Sequence, residues 1–147
     1  MESLNLYKDN RYLLIKELIK NAGYKMTDQR SEILKEFIKK EGAHLSAESI
    51  SDSLRCMGIG ISTVYRNLNQ LVDSNIVKRI TTPVGTDRYD FIRNIHNHAL
   101  CVKCGKVFDF DYHFNYKRIK SEVNNQVGVE IFNTGITFEG ICSECKE

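Results

Sequence analysis

The chain has 147 residues, 41% of them hydrophobic, with 21 basic and 19 acidic side chains and a formal net charge of +2. That length suits one compact domain or two small ones, and the near-neutral balance excludes a protein that holds nucleic acid by bulk positive charge. No apolar run approaches the roughly 20 residues that span a bilayer. The opening Met1-Glu-Ser-Leu-Asn-Leu6 lacks the basic and apolar regions of a secretory signal, so a cytoplasmic protein with no membrane partner is expected.

Residues 3–21 carry Leu4, Leu13, Leu14, Leu18 and Ile19 among lysines and read as a helix ended by Gly23. Thr27 is a suitable N-cap for a second helix bearing Ile33, Leu34, Phe37 and Ile38, closed by Gly42. Ser46 opens a third, with Ala47, Ile50, Leu54 and Met57 on one side, broken by Gly58 and Gly60. Ser62 caps a fourth, with Val64, Leu68, Leu71 and Val72 as its core stripe. Ile76–Thr82 and Arg88–Phe91, around Pro83-Val-Gly85, read as a β-hairpin.

Three short helices and a hairpin are the order of a winged helix-turn-helix, with the fourth helix of the chain as the recognition helix. Its first turn and outer face present Ser62, Thr63, Tyr65, Arg66, Asn67 and Asn69. Arg and Asn make bidentate contacts to guanine and adenine edges, and Tyr and Thr add phosphate or thymine-methyl contacts. From Arg55 to Arg88 five basic residues face two acidic ones, a local excess of +3. A plain amphipathic helix with a solvated face has the same pattern.

Beyond residue 93 the chain changes character. Ala99–Val102 and Lys106–Phe110 read as strands around a Cys-x-x-Cys-Gly turn, Tyr116–Val127 as a helix, and Val129–Phe132 and Ile136–Phe138 as strands. The expected organisation is α+β: a winged-helix domain at 1–87, a hinge at 88–94 and a small α/β domain at 95–147.

Cys101/Cys104 and Cys142/Cys145 are two Cys-x-x-Cys pairs with 37 residues between them. Each two-residue spacer lets both thiolates meet one metal from a tight turn, and two such turns complete a tetrahedral sulfur site of the kind zinc favours. Two disulfides or two redox pairs are the alternatives. Cys56 stands outside the pattern, and a small buried residue is expected there.

His96 and His98 form His-x-His, which in an extended segment projects both imidazoles to one side. With His44, Asp90 and Asp109 they make a set of three imidazoles and two carboxylates, suited to Fe²⁺, Mn²⁺ or Zn²⁺. Drawn from both domains, such a site would let metal fix one against the other. Each of these residues taken singly is also an ordinary solvated side chain.

Thr27-x-x-Arg30, His44-Leu-Ser-Ala-Glu48, Ser62-Thr-Val-Tyr-Arg-Asn-Leu68, Arg88-Tyr-Asp90, His96-x-His98-x-x-Cys101-x-x-Cys104-Gly105 and Gly140-Ile-Cys-x-x-Cys145 occur in this order. Together they resemble the ferric uptake regulator family of metal-dependent repressors, from about residue 20 to the end. The resemblance implies a homodimer on an inverted-repeat duplex operator, no enzymatic activity, one structural Zn²⁺ per subunit on the four cysteines and one regulatory Fe²⁺ or Mn²⁺ on His44, Asp90, His96, His98 and Asp109. Tyr65, Arg66 and Asn67 would approach base edges, with Ser62 and Thr63 beside them. Arg30, Lys78 and Arg79 would touch phosphate.

Asp109, where iron sensors commonly carry Glu, and the absence of His in Asn133–Phe138 favour the peroxide-responsive branch. In that branch hydrogen peroxide oxidises a ligand histidine, here His44 or His96. Arg66 instead resembles the iron sensors. An iron-responsive repressor is therefore the alternative, followed by a zinc sensor, a zinc enzyme using the His/Asp site, or a zinc-storage protein.

Overall fold

The computed structural model of the protein describes residues 2–40, 43–91, 97–131 and 134–146, with residues 2–9 described by their backbone alone. The chain is α+β and divides into two compact units, Met1–Ile92 and Arg93–Glu147. The division falls inside the expected hinge, although Arg88–Phe91 is itself a strand of the first unit. Among the described residues, no helix is long and apolar enough to cross a membrane.

The N-terminal unit contains helices α1 (Glu2–Asn21), α2 (Asp28–Lys39), α3 (Ala47–Ser53) and α4 (Ile61–Asp73), then strands β1 (Val77–Ile80) and β2 (Arg88–Phe91). Thr27 caps α2 through its side-chain oxygen, which accepts from the Arg30 N–H at 3.2 Å, and Asp28 complements the helix N-terminus. Ser46 caps α3 in a reciprocal box with Ser49. The expected Ser62 cap is not formed: α4 starts at Ile61 with Gly60 as its N-cap and no side-chain cap bond. Between α3 and α4, Arg55–Met57 forms a single 3-10 turn ended by Gly58, whose φ of 71° favours glycine.

The core gathers Ile33, Leu34 and Phe37 of α2, Ala47 and Ile50 of α3, and Val64, Leu68 and Leu71 of α4. Val64, Leu68 and Leu71 recur at helical spacing, so one face of α4 is apolar and the other is left outward. Two expectations change. In α1 it is Ile15 and Ile19 that are buried, while Leu13, Leu14 and Leu18 are exposed. Met57 is also exposed, because the chain has left the α3 helix before reaching it.

β1 and β2 pair antiparallel, with Arg79 opposite Tyr89 and Lys78 opposite Asp90. The turn between them is closed by the Thr82 hydroxyl, which donates to the Thr86 carbonyl at 2.7 Å. Leu45 forms an antiparallel bridge to Tyr89 on the other edge of β2.

The C-terminal unit contains β3 (Asn97–Cys101), β4 (Val107–Phe110), α5 (Tyr116–Val127) and β5 (Thr137–Gly140). β3 is central, antiparallel to β4 and parallel to β5. Asn115 caps α5 and Gly128 ends it in the left-handed conformation. The expected strand from Val129 is not formed: Val129–Ile131 is irregular, and Phe132 lies outside the described residues. This unit buries little: Leu100 and Cys101 are its buried apolar residues among those described, whereas Phe138 (53% exposed) and Val127 (63%) are open.

Leu68→Ala, at a side chain with no exposed surface, is expected to destabilise the N-terminal unit by about 3 kcal/mol in urea unfolding. Leu14→Ala, on the open side of α1, is expected to cost under about 0.5 kcal/mol. Equal losses at the two sites would contradict this placement of the core.

Candidate metal centres and DNA-facing surface

Cys101 ends β3, and Cys104 follows in the turn that leads to β4. Gly105, at φ 71°, returns the chain by donating its N–H to the Cys101 carbonyl at 2.9 Å. Cys142 and Cys145 sit on a second tight turn, where the Cys145 N–H meets the Cys142 carbonyl at 3.0 Å. The parallel β3–β5 pairing, which sets Cys101 beside Gly140, delivers the second turn to the first. All four sulfurs then lie within 4.8 Å of one another, and Cys104 Sγ to Cys142 Sγ is 3.9 Å. Zinc–sulfur bonds of about 2.3 Å at the tetrahedral angle separate sulfurs by about 3.8 Å, so the cluster fits that ion. A disulfide needs about 2.0 Å, and all four cysteines are free thiols.

The cluster is polarised. N–H groups of Cys142 and then Cys104 lower the Cys101 thiol to about 6, while hydrogen bonding to Cys142 and Cys104 raises Cys145 to about 12. One thiolate among thiols opposes the ionisation of the next, and a divalent cation relieves that opposition. Lys106 pairs with Glu144 at 2.9 Å and Lys103 donates to the Cys145 carbonyl at 3.0 Å, linking the two turns from outside. Cys56 is exposed, correcting the expectation of a buried residue, because the 3-10 turn that carries it projects from the unit.

The histidine and aspartate candidates form one pair in each unit. In the N-terminal unit the Leu45–Tyr89 bridge sets the adjoining His44 and Asp90 beside each other, with a ring nitrogen and a carboxylate oxygen within 4.8 Å. In the C-terminal unit His98 and Asp109 are cross-strand neighbours of β3 and β4, with Nε2 3.4 Å from Oδ1. Both pairs offer an imidazole and a carboxylate, donors suited to a borderline divalent ion. His96, the fifth candidate, lies outside the described residues.

On α4, Ser62, Tyr65, Arg66 and Asn69 are exposed and Thr63 is half-buried. Asn67 is not on this face: it is buried, and its Nδ2 donates to the Thr63 carbonyl at 2.9 Å. Its position next to Leu68 turns it toward the core, which removes it from the expected base-contacting set. Arg30 also departs from expectation. It is 6% exposed, donates to the Lys25 carbonyl and to Gln70 Oε1, and lies over the Tyr24 ring. It ties α2 to α4 and is not presented to phosphate.

Lys78 is exposed on β1. Arg79 is held by Asn69 and sits 3.7 Å from Asp87 Oδ2 above the buried Tyr89 ring. The Tyr65 hydroxyl donates to Glu48 Oε1 at 2.8 Å, joining α4 to α3. That bond is the main reason the Tyr65 phenol is raised above its ordinary pKa. The N–H of Glu48, and then Tyr65, hold the Glu48 carboxyl below its usual range. Glu48 was not legible as a partner of Tyr65, because a glutamate in a first helical turn already satisfies the helix dipole.

The model of the ferric uptake regulator family matches residues 21–139. The chain is similar to the peroxide operon regulator of Bacillus subtilis, with 31% identity over 133 residues covering 89% of this chain and 90% of that one. It is similar in structure to the ferric uptake regulator of Vibrio cholerae, with 32% identity, coverage of 86% and 98%, and a TM-score of 0.69. The ferric uptake regulator of Helicobacter pylori, described as having three functional metal binding sites, gives 28% identity, coverage of 95% and 94%, and a TM-score of 0.75.

Arg30→Ala is expected to cost about 2 kcal/mol of stability, as loss of a charged, buried hydrogen-bonding group does. The slope of duplex affinity against salt should stay unchanged, whereas loss of a phosphate contact would lower it by about one unit. A lowered slope with unchanged stability would restore Arg30 to the DNA surface.

Proposed function

The chain belongs to the ferric uptake regulator family of metal-dependent regulators, and from that premise we propose that it is a homodimeric transcriptional repressor that binds an inverted-repeat operator and senses hydrogen peroxide. The observation that carries this reading is the preparation of two His–Asp pairs, His44/Asp90 and His98/Asp109, each within a unit that also bears another part of the device. We assign the regulatory ion to these four residues and His96, and structural zinc to Cys101, Cys104, Cys142 and Cys145. Zinc would supply a closed cross-link; Fe²⁺ would activate peroxide toward the ligand imidazole, which itself gives up both electrons, and Mn²⁺ would support DNA binding without that reaction.

The residues of the chain do the rest. Ser62, Thr63, Tyr65 and Arg66 face the major groove from α4, and Lys78 with Arg79 flanks it from the wing. Open Phe138 and Ile141, which line an apolar groove of about 170 Å³ with Leu100 and Phe108, and open Val127 on α5 support a second copy as the cover of the C-terminal unit. On exposure to peroxide, an imidazole carbon of His44 or His96 gains one oxygen atom and the other leaves as water. The oxidised ring is a poorer ligand and the operator is released. The similarity to the peroxide operon regulator supports this branch. Arg66 and the similarity to the Vibrio cholerae regulator favour the second reading, repression governed by iron level.

Removing a cysteine is expected to act on folding before response. Cys142→Ser should lose its zinc in elemental analysis, and its C-terminal unit should lose its thermal transition. A folded, dimeric, zinc-free Cys142→Ser protein would refute the clasp.

Mn²⁺-loaded protein should retard an inverted-repeat duplex that the chelated protein leaves free. Peroxide treatment of the Fe²⁺-loaded protein should add the mass of one oxygen to a peptide containing His44 or His96 and abolish the retardation. Retardation that follows iron level, with both peptides unmodified, would establish the iron-responsive reading instead.

A further inference from the structure

The hydroxyl of Tyr65 has one proton, and it is donated in a hydrogen bond to Glu48. The phenol sits on the outer face of α4, 41% exposed, and its oxygen is 2.8 Å from Glu48 Oε1. A carboxylate only accepts hydrogen bonds, so the direction of this bond is fixed: Tyr65 donates inward and turns its remaining lone pairs outward. Glu48 is itself anchored in the first turn of α3, directly after the Ser46 cap and its reciprocal bond with Ser49. The acceptor is therefore held by a capped helix.

We infer that Glu48 is a positioning residue that presents Tyr65 to DNA as a hydrogen-bond acceptor, so that Tyr65 selects an amino-bearing base, adenine or cytosine, on the strand it faces. This rests on the proposed role of α4 in the major groove. In that groove adenine N6 and cytosine N4 donate, while guanine O6 and N7 and thymine O4 only accept. Phosphate oxygens also only accept, and the neighbouring Glu48 charge repels them. Tyr65 is thus a base reader and not the phosphate contact that a free tyrosine hydroxyl supplies. Asn69, by contrast, already accepts from Arg79 through its side-chain oxygen, which leaves its amide hydrogens outward. The two side chains, a turn apart on one face, present opposite hydrogen-bonding character.

The test uses the full chain loaded with Mn²⁺ and a duplex library randomised across both operator half-sites, with the retained fraction sequenced. Wild type, Tyr65→Phe, Glu48→Ala and the double variant are compared. Wild type is expected to enrich adenine or cytosine by about tenfold at one position of each half-site. Both single variants should lose that enrichment, the double variant should lose no more, and preferences elsewhere should persist. This non-additivity separates orientation of the phenol from simple removal of a charge, which acts on every sequence alike. Enrichment that survives Glu48→Ala, or that erodes uniformly at all positions, overturns the inference while leaving the repressor reading intact. A wild-type protein that selects no sequence with or without Mn²⁺ overturns the repressor reading, and this inference with it.

Discussion

Two backbone hydrogen bonds between Leu45 and Tyr89, at 3.0 and 2.7 Å, set the register on which the candidate site residues of the N-terminal unit depend. They attach the segment that enters α3 to the outer edge of β2. Because the pairing is antiparallel, the flanking residues are brought into register, and His44 meets Asp90. The same bridge fixes Tyr89, whose buried ring lies beneath the Arg79 guanidinium. Arg79 reaches Asn69 on α4. One bridge thus orders a candidate metal half-site on one side and a side chain of the proposed DNA surface on the other, through a strand only four residues long.

The C-terminal unit relies on a different device. Its sheet has three strands, and among its described residues only Leu100 and Cys101 are buried apolar side chains. A sheet of this size with so thin a core does not hold by apolar burial alone. The cysteine turns stand at the ends of β3 and β5, where an ion on four sulfurs would clamp central and edge strands. Cys101 ionises readily and Cys145 resists, so the cluster holds charge unevenly until a cation makes every thiolate favourable.

The sequence made the local chemistry legible and the faces of the helices less so. Caps at Thr27 and Ser46, the hairpin, the strands around Cys101–Cys104 and helix Tyr116–Val127 follow from short-range rules, and the structure contains them. Apart from the Ser62 cap and the strand from Val129, which are not formed, what failed depended on tertiary context. Leu13, Leu14 and Leu18 are as apolar as Ile15 and Ile19, and only packing decides that the isoleucines face inward. Asn67 and Arg30 are polar, and polarity suggests exposure, yet both are buried with partners in hand. Burial of a polar group is offset by such partners: Arg30 reaches Gln70, 40 residues on, while Asn67 turns back to the Thr63 carbonyl of its own helix. Cys56 failed in the opposite sense, because its composition suggests burial while a 3-10 turn exposes it.

The half-sites also indicate where regulation must reside under the proposed function. A metal shifts an equilibrium only through a difference in affinity between states. Within the N-terminal unit, His44 and Asp90 are already adjacent through backbone pairing, and so are His98 and Asp109 within theirs. Neither pair needs rearrangement to meet an ion, so neither alone supplies a difference. Two ligands from one strand pair bind a divalent ion weakly, whereas four or five hold it firmly, since each added donor replaces water and that gain exceeds the cost of ordering the segments that bring it. Under the proposed assignment of one ion to all five residues, the gain would lie in completing the donor set. The recognition surface can then stay rigid, with Tyr65 held by Glu48 and Asn69 held by Arg79, because it is the presentation of that surface, and not its internal geometry, that the metal would govern.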